Sequence, residues 1–360
     1  METMGLSPAF WQGKRVLLTG HTGFKGSWLA LWLRELGAQV TGFALDPATE
    51  PSLFELAQVG REITDVRGDL RDLGALLDAV AEAQPEIVLH LAAQPLVREA
   101  YRDPLGTYSS NVMGTLHLLE AMRQVGGVRA CVLVTTDKVY ANQEWPWPYR
   151  ENEALGGHDP YSSSKACCEL LAQSYGASFF PADKHAEHGL ALATARAGNV
   201  LGGGDFAVDR LIPDVLKAWS AGTPVTLRYP QAVRPWQHAL EPLAGYLQLA
   251  ERLYRQGPAY AGAWNFGPAE QDMCSVGEVV AHLARQWPQA PGMHVEPSEL
   301  HEAGLLRLDS SRARQLLGWR TRWSLHDCLK HTLDWHLAWQ RGDNMRAVTL
   351  DQLNLYAELS

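Results

Sequence analysis

The sequence predicts an α/β fold, a doubly wound parallel sheet followed by a smaller C-terminal α/β region. Three observations carry this. Apolar strand-like runs alternate with helix-like patterns through the first half of the chain. One strand–helix junction is a glycine-rich turn, Thr19 to Gly26. After about Ala197 the alternation loosens, although helical periodicity persists.

In chain order, Arg15 to Thr19 is a short apolar run that ends in the glycine turn. Trp28, Leu29, Trp32, Leu33 and Leu36 then recur at helical spacing. Gln39 to Ala44 reads as a second strand and Ile63 to Gly68 as a weaker third. Ile87 to Leu91 and Ala130 to Thr135 are continuous apolar runs, as strands buried on both faces should be. Leu105 to Val125 supplies a helix between them, and Leu190 to Arg196 is a sixth strand. Beyond this lie helices at Leu240 to Arg255, one opened by the capping box Ser275 to Glu278, one from Asp309 to Gly318, and a long final one opened by Trp323 and Ser324. At roughly 100–200 residues per domain, 360 residues make about two. Residues 1–196, rejoined by about 236–266, would form the first, and 197–360 the second.

Composition excludes several classes. Forty acidic against 31 basic side chains leave a net charge of −9, which argues against a nucleic-acid or anionic-membrane binder. With 46% hydrophobic and 20% charged residues, the chain is not disordered. Five cysteines, two of them adjacent and none in a CxxC pair, predict neither a disulfide framework nor a zinc ribbon. His326, His331 and His336 recur at steps of five, which does not place ligands on one helix face, so no metal is expected. Met1 to Gly20 lacks a signal-peptide pattern and no run approaches a membrane span, so the expected compartment is the cytoplasm.

The glycine turn, Gly20-His-Thr-Gly23-Phe-Lys-Gly26, has the strand–turn–helix setting in which a backbone can approach a pyrophosphate at a helix N-terminus. Gly20, Thr22, Gly23, Phe24, Lys25 and Gly26 are therefore candidate cofactor contacts. Asp46 lies 20 residues beyond Gly26, at the end of the second strand, where a carboxylate would accept from the adenosine ribose and repel a 2′-phosphate. The expected cofactor is NAD rather than NADP. Asp69 and Leu70 follow the third strand; Leu91, Ala92, Ala93 and Gln94 close the fourth. All lie at strand C-termini, the binding edge of such a Rossmann-type sheet.

Tyr161-Ser-Ser-Ser-Lys165 places a phenol and an ammonium on one helix face. The ammonium should lower the phenol toward neutrality, so that it can take a hydroxyl proton. With Thr135-Thr136-Asp137-Lys138 closing the fifth strand, these residues make the candidate catalytic group.

At this point the sequence resembles the extended short-chain dehydrogenase/reductases that act on nucleotide sugars. The resemblance covers nearly the whole chain, and within the dehydratase subgroup it is most similar to the branch acting on CDP-glucose. Phe10 to Val16, Thr19 to Trp28, Ala92 to Arg98, Asn111 to Thr115, Arg196 to Val200, Gly202 to Asp205 and Arg234 to His238 carry it. The resemblance implies an internal oxidation–reduction. Carbon 4 of the sugar is oxidised, water is lost across carbons 5 and 6, hydride returns to carbon 6, and NAD ends as it began. Tyr161 with Lys165 would deprotonate the carbon-4 hydroxyl, Thr136 would bond its oxygen, and Asp137 would be the acid for water loss. Asn111 joins the cofactor set, and Gln94, Asn199, Arg210 and Arg234 the substrate set. The resemblance also implies a homodimer or homotetramer and a place in deoxysugar biosynthesis.

Lys138 departs from the Asp-Glu pair of the dTDP-glucose and GDP-mannose dehydratases. It resembles the CDP-glucose branch. An ordinary lysine, at about 10.4, is no base at neutral pH. Either its surroundings lower it, or it stays charged and holds Asp137 or an enolate while another group takes the carbon-5 proton. Residues 191–240 carry five basic side chains (Arg196, Arg210, Lys217, Arg228 and Arg234) against three acidic ones, the reverse of the whole chain. Guanidinium forks there suit a diphosphate. Two other readings stay open. A 4-epimerase of the same fold would need no acid for water loss, and a non-catalytic NAD-binding regulator would need neither Tyr161 nor Lys165.

Overall fold

The computed structural model describes residues 6–287, 289–296 and 304–359. Its centre is a seven-stranded parallel sheet. The strands are β1 (Arg15–Thr19), β2 (Gln39–Ala44), β3 (Thr64–Arg67), β4 (Ile87–His90), β5 (Ala130–Val134) and β6 (Ala191–Ala197). The seventh, β10 (Gly262–Phe266), arrives from late in the chain, giving the order β10-β6-β5-β4-β1-β2-β3. β1 pairs with β2 on one side and β4 on the other, which sets a topological switch point at the C-terminal end of β1.

Alternation in the strands builds two cores. On β5, Ala130, Val132 and Val134 enter one cluster and Cys131 and Leu133 the other; Leu17 and Val88 likewise oppose their neighbours on β1 and β4. The helices α1 (Phe24–Glu35), α2 (Leu73–Ala83), α3 (Gly114–Val125) and α4 (Pro160–Ser178) cover these faces. α2 and α3 supply Leu76, Val80, Leu118 and Met122 to the second cluster. α1 is buried nearly all round, from Gly26 to Leu33. A helix apolar on every side needs a second layer over it. That layer comes from the C-terminal end, where Tyr356 meets Trp32 edge-on at 5.7 Å.

Three small strands, β7 (Asn199–Leu201), β9 (Val233–His238) and β11 (Met273–Ser275), form one mixed sheet. β8 (Val225–Leu227) and β12 (Met293–Val295) form a two-stranded parallel one. The later helices are α5 (Leu211–Ser220), α6 (Leu240–Gln256), α7 (Val276–Ala284), α8 (Leu325–Gln340) and α9 (Met345–Glu358). α6 returns to pack on β5 and β6.

Three sequence expectations change. The helix expected from Leu105 runs from Pro104 to Val125 with a π-turn at Ser109–Met113. The segment from Asp309 to Gly318 is largely a single π-turn, Ala313–Leu317, ended by Gly318 in the left-handed region. The long final helix is two helices, because Gly342 at φ +77° ends α8 and the Asn344 side chain caps α9. Trp335 packs in the core, its indole donating to Thr349 Oγ1 at 2.9 Å across that break.

Candidate active site

The C-terminal edge of the sheet opens into a cleft of about 750 Å³. The turn between β1 and α1 reaches this cleft through Lys25. Gly20 has φ +78°, and a Cβ there would stand 2.7 Å from the Ala92 nitrogen; a Cβ on Gly26 would stand 2.0 Å from the Gly20 carbonyl oxygen. Gly23 caps α1 without any side-chain bond, and the first intrahelical bond runs from Ser27 N to Gly23 O at 2.8 Å. The N–H groups of Phe24, Lys25 and Gly26 therefore lack helical partners. Thr22 donates to the Leu45 carbonyl at 2.9 Å, which ties the turn to the end of β2.

Asp46 stands beyond β2 with its side chain 90% exposed and 3.4 Å from Arg67 Nη1. Asp69 is held below the usual carboxylate range by its hydrogen bonds from Arg71. The Leu70 side chain packs in the core instead of facing the cleft, and its carbonyl accepts from His117. Leu91 and Ala93 line the cleft; Ala92 N donates to Thr19 Oγ1 at 3.2 Å.

The structure does not bring Gln94 or Asn111 to the cleft wall. Asn111 accepts from Gln94 N at 2.8 Å and donates to Gln94 O and to Ser164 Oγ. The Gln94 amide donates to Thr107 and accepts from Leu96 N. Both amides are spent on bracing the loop after β4 against the π-turn and α4.

The opposite wall carries the chemistry. Asp159 caps α4 by accepting from Ser162 N at 2.9 Å, and the helix then points Tyr161 and Lys165 at the end of β5. Lys165 Nζ donates to the Val134 carbonyl at 3.1 Å. Burial pushes the Tyr161 phenol up to about 12 against Thr136 and Arg210, with Asp137 and Asp159 adding to the rise. This reverses the direction expected from the Tyr-x-x-x-Lys spacing. Desolvation outweighs the nearby cations, and burial pulls the Lys165 ammonium itself below its ordinary value.

Thr136 donates to Asp137 Oδ1 at 2.9 Å. Asp137 is 2% exposed, and burial raises its carboxyl above the usual range against Lys138, Thr136 and Arg234. Its other oxygen, Oδ2, is buried without a protein partner. Lys138 lines the cleft beside it. A buried carboxyl held toward its neutral form is suited to donate a proton.

Across the cleft stand Asn199, Arg210 and Arg234. Arg210 pairs with Asp205 at 3.4 Å. Arg234 is 7% exposed and donates to the Val233 carbonyl at 2.9 Å.

Lys25, a candidate cofactor contact, also takes a side-chain place in the cleft, and two features in or near the cleft, the Asp209 ion pairs and Tyr246, were not read from the sequence. Burial together with Arg210 and Lys165 pulls the Lys25 ammonium down to about 7. A lysine inside an apolar helix start was the available signal. Arg98, beyond β4, and Arg228, beyond β8, both reach Asp209 Oδ1 at 3.2 Å, bridging the two walls. Tyr246 Oη, from α6, is buried with no partner and is electrostatically coupled to Tyr161 and Asp137.

A parallel sheet of this order, a glycine turn after its first strand and a Tyr-x-x-x-Lys helix against its fifth define an extended short-chain dehydrogenase/reductase. More narrowly, residues 17–332 match the family described as GDP-mannose 4,6 dehydratase, and the chain belongs to that family. It is similar to the CDP-glucose 4,6-dehydratase of Salmonella typhimurium, 50% identical over 348 residues that cover 96% of this chain and 97% of that one. A dTDP-glucose 4,6-dehydratase of Streptomyces antibioticus is 29% identical, over 89% of this chain and 92% of its own. Among solved structures, MoeE5 in complex with UDP-glucose and NAD is 26% identical with a TM-score of 0.75, covering 90% of this chain and 98% of that one. A UDP-glucose 4-epimerase from Stenotrophomonas maltophila with bound NAD reaches a TM-score of 0.80 at 24% identity, covering 91% and 99%, a likeness of fold.

Proposed function

We propose that this chain is a NAD-dependent lyase that converts CDP-glucose to CDP-4-keto-6-deoxyglucose. The observation that carries the reading is a buried acid, Asp137, bonded by Thr136 and lining one cleft with Tyr161, in a chain 50% identical over its length to a CDP-glucose 4,6-dehydratase. An epimerase has no use for that acid, and a regulator has none for the whole array.

The first wall fits NAD. Two glycines leave room for no side chain where the pyrophosphate must approach, three N–H groups are free to bond it, and Asp46 stands open to solvent beyond β2. When bound, NAD supplies the hydride acceptor for carbon 4 and the hydride donor for carbon 6. Tyr161 takes the carbon-4 hydroxyl proton, and Thr136 orients that oxygen. Asp137 protonates the carbon-6 hydroxyl as it leaves as water. Lys138, beside Asp137, either accepts the carbon-5 proton or stabilises the enolate with its charge. Arg210, Arg234 and Asn199 hold the diphosphate.

We also infer a cytoplasmic homodimer or homotetramer. Among the described residues no helix is long and apolar enough to cross a membrane. The test is incubation of the pure protein with CDP-glucose, with and without added NAD. Alkaline absorbance of a 4-keto-6-deoxy sugar is expected. An epimerised hexose, or cofactor binding without change of any nucleotide sugar in a panel, would overturn the reading.

A further inference from the structure

Dehydration leaves one proton in the wrong place. Tyr161 takes a proton from the carbon-4 hydroxyl, and since the product keeps a ketone there, that proton is never returned. Asp137 gives a proton to the departing carbon-6 hydroxyl. The proton removed from carbon 5 is matched by one delivered to carbon 5, whichever group carries it. Each turnover therefore ends with Tyr161 one proton richer and Asp137 one proton poorer. A second turnover needs that proton moved from phenol to carboxylate.

Thr136 stands between the two groups. Its hydroxyl donates to Asp137 Oδ1 at 2.9 Å, and the same side chain acts on the Tyr161 phenol, lowering it. The Lys138 backbone N–H donates to Thr136 Oγ1 at 3.4 Å. Thr136, Asp137 and Tyr161 are all buried. Arg210 acts on the phenol; Lys138 and Arg234 act on the carboxyl; Lys25 is coupled to Asp137, Arg210 and Lys165. Tyr246, on α6, is buried with an unpartnered hydroxyl that feels Tyr161 and Asp137.

We propose that Thr136 is the proton relay that resets the enzyme between turnovers. The Tyr161 O–H bond breaks as its proton passes to Thr136 Oγ1, and the original Thr136 proton passes to Asp137 Oδ1. No proton is gained or lost, and the end state is phenolate beside carboxylic acid, ready for the next sugar. The relay rests on the dehydration reading above; burial holds the Asp137 carboxyl toward its protonated form but also raises the Tyr161 phenol to about 12, so the phenolate state would need the positive charge that NAD supplies when bound.

Thr136→Val keeps the shape and removes the hydroxyl, whereas Thr136→Ser keeps the hydroxyl. Rapid-quench product formation from CDP-glucose, with NAD bound, separates the first turnover from later ones. Thr136→Val should form one product per site, slowed by the lost bond to the carbon-4 oxygen, and then run about 100-fold slower still, the scale of a missing proton-transfer partner. The slow phase should depend on pH, because solvent must now both take the proton from Tyr161 and supply one to Asp137. Thr136→Ser should show no such break. Later turnovers of Thr136→Val that match its first, or a slow phase indifferent to pH, would overturn the relay.

A second readout needs no turnover. Adding NAD without substrate should produce tyrosinate absorbance, absent in Tyr161→Phe, with no proton released to solution, because the proton moves to Asp137. In Thr136→Val each tyrosinate should release one proton. A wild type that forms no tyrosinate, or that releases a proton with it, sinks the relay even if Thr136→Val makes no product. A wild type that binds NAD but never yields the keto sugar instead brings down the dehydration reading.

Discussion

The two walls of the cleft are built by opposite means. The cofactor wall is backbone: two glycines with no room for a Cβ and a helix start whose N–H groups are unspent. The substrate wall is charge, with arginines already paired, Arg210 on Asp205 and Arg98 and Arg228 on Asp209. A steric cradle needs no net charge, which is how a chain at −9 can hold one diphosphate. The other wall concentrates cations locally and keeps them in ion pairs that a diphosphate must compete with. One wall should therefore break when a methyl is added, and the other when a charge is removed.

The largest effect is expected from Gly26→Ala. Its Cβ would fall 2.0 Å from the Gly20 carbonyl oxygen, backbone against backbone, so the turn has to move. NAD binding, measured by calorimetry, should weaken about 100-fold or more, the scale of two lost charge-assisted hydrogen bonds. The substrate wall should be untouched, so binding of CDP alone should be unchanged. Next comes Arg234→Met, which removes a buried guanidinium at similar volume. KM for CDP-glucose should rise roughly 10- to 100-fold, as for one lost charged hydrogen bond. Arg234 also holds the Asp137 carboxyl down, so the limb of the pH profile that follows Asp137 should move to higher pH. An unchanged KM would remove Arg234 from the diphosphate site.

Lys25 belongs to both walls, its backbone in the turn and its side chain among the cations, and it sharpens the comparison through pH. Its ammonium is pulled from 10.5 to about 7 on folding. Between those values the unfolded chain binds more protons than the folded one, so this group makes stability rise with pH from about 7 toward 10.5 and penalises folding below. Lys25→Met should flatten that rise. Thermal midpoints of both proteins across this window test it, and parallel curves would show that Lys25 keeps its ordinary value.

The same division decided what could be read from the sequence. β1 was legible to the residue because a short apolar run leads straight into the glycine turn, and β2 because it follows the helix that the turn opens. Tyr161, Lys165 and Asp137 lie where local spacing placed them, on α4 and after β5. The edge strand Gly262–Phe266 was not assigned, because its partner β6 lies far back in the chain and no local pattern encodes that pairing. Periodicity also gives position without direction. Gln94 and Asn111 follow the right strand and helix, yet the Asn111 amide turns to the Gln94 backbone and Ser164, and the Gln94 amide to Thr107 and Leu96. The phenol's rise to about 12 was out of reach for the same reason, since spacing reports a neighbouring cation and only packing reports desolvation.

The smallest effect separates the walls most finely, because Asp46 is the one charged side chain assigned to the cofactor wall's specificity. Its side chain is 90% exposed, and its contact with Arg67 at 3.4 Å is a surface pair that contributes about 0–1 kcal/mol. Asp46→Asn should therefore leave stability within about 0.5 kcal/mol of wild type. If the carboxylate accepts from the adenosine ribose, NAD affinity should fall about fivefold, the scale of one hydrogen bond. NADP affinity should rise, since the repelling charge is gone and Arg67 remains beside position 46. Arg67→Ala on top of Asp46→Asn should then cancel the NADP gain without restoring NAD. A ratio of NAD to NADP affinity that ignores both substitutions would mean that the cradle reads only the pyrophosphate, and that cofactor choice is made by backbone alone.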